Sequence, residues 1–139
     1  MSAAAVFSLA NTAALLSWLT LIAFQRRPWA RNAVVPVVAA LLALGYAAII
    51  GARWGGSTGG FGSLEAVAQL FSDPWLLLAG WLHYLAFDLL VGRWIAEDAA
   101  TQGVSPWLAA PCMALTFMFG PAGWLTYLAV RRTSRMLMA

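Results

Sequence analysis

His83, Tyr84, Asp88 and Arg93 stand in the middle and towards the end of an otherwise apolar run from Pro74 to Ile95. An imidazole, a phenol and a carboxyl are the groups of general acid and base chemistry, in which a positioned side chain gives or takes a proton in the transition state. Each also costs free energy where it stands. An aspartate or arginine at the centre of a membrane-crossing helix is disfavoured by roughly 2.5–3.5 kcal/mol, and such residues face a bundle interior and mark function by default.

At about 100° per helical residue, Trp81, Tyr84 and Asp88 share one face, while Arg93 and Glu97 form an i, i+4 pair beyond them. His83 lies about 140° round from Asp88, near Gly80 and Phe87. The two are expected not to touch on a straight helix, although both can border one cavity between helices. Two accounts of Asp88 stand side by side. In one it is a carboxyl able to give or take a proton near neutral pH; in the other it makes a structural hydrogen bond to Thr116 or Tyr127. His83 reads either as a second proton-transfer group or as an interhelix hydrogen-bond partner. Arg93, with Glu97 or Asp98, is either a solvated anchoring pair at the interface or a contact for a polar head group.

Trp29, Trp54, Trp75, Trp94 and Trp107 fall near the ends of apolar runs, as an interfacial aromatic belt does. Trp18, Trp81 and Trp124 lie deeper, and with Tyr84, Phe87, Phe117, Met118 and Phe119 they either wall a site for a flat apolar ligand or serve packing. Haem ligation by His83 opposite Met113 or Met118 is a further reading, with a single histidine to support it. A glycine-rich phosphate loop, a nucleophile elbow and a histidine–cysteine cluster are all missing. No metal, no cofactor and no nucleic-acid partner is expected.

Composition decides the solvent of the elements that must position these groups. Hydrophobic residues make up 63% and charged residues 9% of the 139, whereas soluble domains carry roughly a quarter charged residues. A chain of this length has too little interior to hide so much apolar surface. A single integral membrane domain over residues 1–139 is expected, all-α, with lipid as its partner. The net charge of +3 comes from eight basic residues, all arginine, against five acids. The arginines cluster between apolar runs, which is orientation signalling and not a nucleic-acid patch, with contact to anionic lipid as the alternative reading. Cys112 is the one cysteine, so an internal disulfide and a cysteine metal cluster are excluded.

Four spans are read, over residues 3–24, 33–50, 74–95 and 106–130, each about as long as the roughly 20 helical residues a bilayer core requires. The first lacks a basic flank before it and is followed by Arg26 and Arg27, so it reads as a retained helix and not as a signal peptide. Glycine-rich residues 51–62 form a surface loop. Ser63, or Gly62 beside it, caps a short interfacial helix with Leu64, Val67, Ala68, Leu70 and Phe71 at helical spacing. Asp73 and Pro74 open the third span. Gly120-Pro121-Ala122-Gly123 predicts a kinked or locally unwound fourth helix, and a broken helix at membrane depth either lines a cavity or is a packing kink.

The positive-inside rule puts residues 25–32 in the cytoplasm. Four crossings then put the equally arginine-rich tail of Arg131, Arg132 and Arg135 outside, a conflict that means either that the orientation is weakly set or that one segment re-enters instead of crossing. Glycine and alanine faces allow a homodimer. The absence of a leader rich in arginine and serine favours a bacterial cytoplasmic membrane as the location.

The run His83-Tyr84-Leu85-Ala86-Phe87-Asp88-Leu89-Leu90-Val91-Gly92-Arg93-Trp94-Ile95, then Asp98-Ala99 and Leu115-Thr116-Phe117-Met118-Phe119-Gly120-Pro121-Ala122-Gly123, resembles the abscisic-acid-deficient-four-like family. The resemblance is close over the third span, the following loop and the fourth span. A plant member is required to make neoxanthin from violaxanthin, so the resemblance implies carotenoid chemistry in a membrane. That conversion opens an epoxide while a proton leaves the polyene, giving an allene and a hydroxyl without a redox cofactor. It needs an acid near the oxygen and a base near the proton, for which the candidates here are Asp88, His83 and Tyr84. Arg93, Trp81, Phe87, Thr116, Phe117, Pro121 and Trp124 are the expected substrate contacts. The substrate expected for this protein is a carotenoid or other isoprenoid entering sideways from the lipid. The alternative is a non-catalytic protein that binds pigment or supports a pigment-processing assembly.

Overall fold

The computed structural model describes residues 1–138, and every regular element among them is helical. Helix α1 (Ala3–Ala23) starts where the Ser2 side chain accepts a hydrogen bond from the Ala5 N–H, satisfying one of the donors that a helix start leaves free. A π-helical turn over Ala30–Val34 leads into α2 (Val35–Arg53). The Val35 N–H reaches the Ala30 carbonyl, five residues back. Pro36 explains the widening, since a proline ring clashes with the carbonyl four residues before it.

After a glycine-rich loop, α3 (Leu64–Leu70) is capped by Ser63, which accepts from the Ala66 N–H at 3.1 Å. Asp73 caps α4 (Pro74–Thr101) through the N–H groups of Trp75 and Leu76 at 2.7 and 3.4 Å. Proline in the first turn of α4 gives up only an N–H that has no helical partner. Helix α4 is the axis of the molecule, with α1, α2, α5 and α6 packed round it. The α1 contact is close because Gly92 has no side chain. A Cβ there would stand 2.3 Å from Cη2 of Trp18, whose indole is 1% exposed.

Helix α1, the continuous run from Ala30 to Gly56, and α4 are long and apolar enough to cross a membrane. The segment read as one kinked span over 106–130 departs from that expectation. It is two helices, α5 (Pro106–Phe119) and α6 (Pro121–Met138), joined at Gly120 with φ +50°. A Cβ on Gly123 would stand 2.1 Å from the Thr116 backbone nitrogen. In a continuous helix seven residues span about 10 Å, so the backbone reverses here. Glycine at 120 supplies the positive φ, Pro121 starts α6, and Gly123 lets the two backbones touch.

Helix α6 then runs beside α4 in the same direction. Gly120 lies against Asp88, the Trp124 and Trp94 rings are 6.5 Å apart, the Tyr127 hydroxyl donates to Asp98 at 2.6 Å, and Arg135 Nε donates to Gln102 at 3.1 Å. Since α5 begins just after α4 ends, α5 and α6 form a hairpin whose tip meets the midpoint of α4. Both open ends lie at the C-terminal end of α4.

The loop after α1 gathers at that same end. Arg26 Nη2 donates to the Val104 carbonyl at 2.9 Å and Gln25 Nε2 to the Pro106 carbonyl at 3.3 Å. Arg93 reaches towards it, donating to Asn32 at 3.4 Å. Arg26, Arg27, Arg31, Arg131, Arg132 and Arg135 are thus collected at one end of the molecule. Arg53 lies at the other, with its guanidinium carbon 5.3 Å from the centre of the Trp75 ring.

Candidate functional site

Asp88 lies at the midpoint of α4 and is 9% exposed. Its two carboxyl oxygens sit 3.2 and 3.3 Å from where a Cβ on Gly120 would be, so the carboxyl abuts the hairpin tip. The last carbonyls of α5 and the first N–H groups of α6 meet here, and neither set has a full complement of helical partners. Oδ2 of Asp88 is shielded and has no hydrogen-bond partner among the described residues. A buried carboxyl oxygen without a partner is rare in a folded protein.

The two hydroxyls that sequence offered as structural partners for Asp88 are engaged elsewhere. Thr116 Oγ1 donates to the Cys112 carbonyl at 2.8 Å, and the Tyr127 hydroxyl donates to Asp98. Tyr84, one turn before Asp88 on the same face, is half-buried.

Tyr84 borders a cleft of about 290 Å³ between α1, α4 and α5, whose walls include Asn11, Leu15, Trp81, Phe117 and Met118. Trp81 is held by its own Nε1, which donates to Asn11 Oδ1 at 2.8 Å. Its ring lies 5.3 Å from that of Tyr84, and Phe117 packs 5.7 Å from Trp18. The cleft is apolar along its length, with the Asn11 amide and the Tyr84 phenol as its polar groups and Asp88 one helical turn beyond.

His83 faces the other way, with its ring 5.6 Å from Tyr46 and 4.6 Å from Phe87. It borders a separate cavity of about 190 Å³ that also meets Ile50, Phe61 and Phe71. The expectation that His83 and Asp88 could share a cavity is therefore not met, because α2 packs on the His83 face of α4 while α1 and α5 pack on the other. Arg93 lies towards the arginine-bearing end, 3.8 Å from Glu97. Thr116 is fully buried under Gly123, Pro121 is the first residue of α6, and Trp124 stacks near Trp94 away from the cleft. Of the residues singled out by sequence, Trp81, Tyr84, Phe117 and Met118 come together around the cleft beside Asp88.

Two features escaped sequence reasoning. Asn11 was visible as an amide in an apolar run, but its role depends on Trp81 lying opposite. Asp98 reads locally as a partner for Arg93, yet its Oδ2 takes the Tyr127 hydroxyl and pairs with Arg131 Nε at 3.1 Å. That pairing exists only because α6 folds back. Among the described residues no group of three or more histidines, cysteines or carboxylates could hold a metal ion.

A family model described as ABA DEFICIENT 4-like matches residues 5–127. No curated protein and no solved structure matches the sequence.

Proposed function

From the premise that the chain belongs to the ABA DEFICIENT 4-like family, we propose that it takes an apolar polyene, a carotenoid or related isoprenoid, from the bilayer into the cleft between α1, α4 and α5. Asp88 then moves a proton in a cofactor-free isomerisation. The observation that carries this reading is the buried Oδ2 of Asp88, without a hydrogen-bond partner at the hairpin tip, beside an aromatic cleft. Cleft volume suits one end of such a molecule, with the rest of the polyene lying in lipid.

For an epoxide substrate the step balances within the molecule. A C–H bond of the polyene breaks to a base, its electron pair forms the new double bond as the ring C–O bond breaks, and a proton returns to the oxygen. Asp88 is the base, and Tyr84, one turn away and facing the cleft, donates to the oxygen. His83, in its separate cavity, has no part in this step.

The proposed setting is a bacterial cytoplasmic membrane crossed by α1, α2 and α4, with the α5–α6 hairpin entering to mid-depth and returning. This arrangement puts the loop of Arg26, Arg27 and Arg31 on the same side as Arg131, Arg132 and Arg135, in accord with the positive-inside rule. Topology reporters fused after residue 138 and within residues 26–31 are expected to read cytoplasmic, and one within residues 55–62 external. An external reading at the C-terminus would restore four crossings.

The functional test is expression in a carotenoid-producing bacterial host supplied with epoxide and non-epoxide pigments. The expected result is a new pigment of unchanged mass that appears only with this protein. An unchanged profile together with coloured purified protein would replace catalysis by pigment binding.

A further inference from the structure

At the arginine-bearing end a groove of about 510 Å³ opens between the end of α1 and the start of α5, lined by Phe24, Gln25, Arg26, Arg27, Pro106 and Trp107 among others. Two arginines line it and no acidic residue does. Its floor is fixed. Gln25 is buried, and its Nε2 donates to the carbonyls of Ile22 and Pro106 at 3.2 and 3.3 Å. Arg26 spends one nitrogen on the Val104 carbonyl. Arg27 is exposed, and neither ion pair among the described residues involves it.

The acids nearest this end are already engaged, Glu97 with Arg93 and Asp98 with Arg131 and Tyr127. Positive charge in the groove is therefore uncompensated. Trp107, at the mouth, is 88% exposed, and a tryptophan ring in such a position suits the head-group level of a bilayer, with one end apolar and the other wet. Adjacent guanidinium groups match the oxygens of a phosphate, which they bind in pairs of parallel N–H···O bonds.

We infer that this groove is a binding site for the phosphate of an anionic phospholipid, held by Arg26 and Arg27, with the acyl tails descending the α1–α5 face beside Ile22 and Ala110. The site is separate from the Asp88 cleft and stands or falls independently of the proposed reaction. By seating a lipid across the α1–α5 seam, it also braces the mouth of the hairpin.

The test is native mass spectrometry of the whole protein released from mixed phosphatidylglycerol and phosphatidylcholine nanodiscs, counting retained lipids. The native protein is expected to retain one phosphatidylglycerol selectively. Arg27→Gln is expected to lower that retention about tenfold, more than the fivefold or so that the loss of one surface arginine costs by diffuse attraction to an anionic membrane. Arg26 also bonds Val104, so Arg27→Gln is the cleaner variant. Arg132→Gln removes the same charge from the same end outside the groove. Equal losses for Arg27→Gln and Arg132→Gln would overturn the site in favour of diffuse attraction. Displacement of the lipid by millimolar inorganic phosphate would overturn the lipid assignment in favour of a free anion.

Discussion

Asp88→Asn is expected to lower polyene conversion by about 10²–10⁴-fold, the usual contribution of a positioned general acid or base, while the protein stays folded. Asparagine keeps the volume that packs against Gly120 and removes the proton-transfer function. Its amide can also donate towards the carbonyls at the end of α5, so stability should hold or rise. The measurement is product formed per unit of protein in the carotenoid-producing host, with protein level matched by immunoblot. Conversion at the native rate would end the proposed role of Asp88. Tyr84→Phe, which keeps the cleft wall and removes only the phenol oxygen, is expected to fall between the two.

Gly123→Ala is expected to open the hairpin. The added methyl would stand 2.1 Å from the Thr116 nitrogen, 2.3 Å from its Oγ1 and 2.5 Å from its Cα. Two of these atoms are backbone and cannot swing aside. Overpacking of a well-fitted interior costs about 1–3 kcal/mol and occasionally more, a large part of the roughly 5–15 kcal/mol that holds a domain together. Thermal unfolding in detergent should fall by ~10 °C, and conversion should be lost with it, because the tip that abuts Asp88 moves. Gly51→Ala is the control, since a Cβ there meets nothing within 4 Å. An unfolding temperature for Gly123→Ala equal to that of the control would contradict the tight reversal at Gly120.

The features legible in sequence are those that local chemistry decides. Ser63 and Asp73 cap the helices that follow them, because a side-chain oxygen before a helical run is enough to set a start. The Gly-Pro-Ala-Gly run marks the helix break at its observed place. What it could not give is the direction taken after the break. A bend and a reversal use the same residues, and the choice rests on whether Gly123 meets Thr116 and Tyr127 meets Asp98, contacts that no window along the sequence contains. Apolar length made matters worse, since residues 106–130 are long enough for a crossing when counted as one helix.

The candidate site divides in the same way. Helical spacing correctly sets Trp81, Tyr84 and Asp88 together and His83 apart, because angular position on one helix is a local property. Which neighbour covers each face is not. Thr116 and Tyr127 looked like partners for Asp88 on the assumption of one kinked fourth span, and the reversal carries Tyr127 to Asp98 instead.

The hairpin also bears on the order in which the molecule is made. Membrane insertion machinery reads apolar helices by length, and a crossing needs about 20 residues, whereas α5 has 14. In the proposed topology α1, α2 and α4 are threaded in sequence as they emerge, whereas α5 and α6 enter afterwards as a hairpin. Asp98 then receives Tyr127 and Arg131 as a latch once the tip has reached Asp88. Until that step the Asp88 carboxyl has no hairpin tip against it, so in the proposed topology the candidate site is complete only once the hairpin has docked.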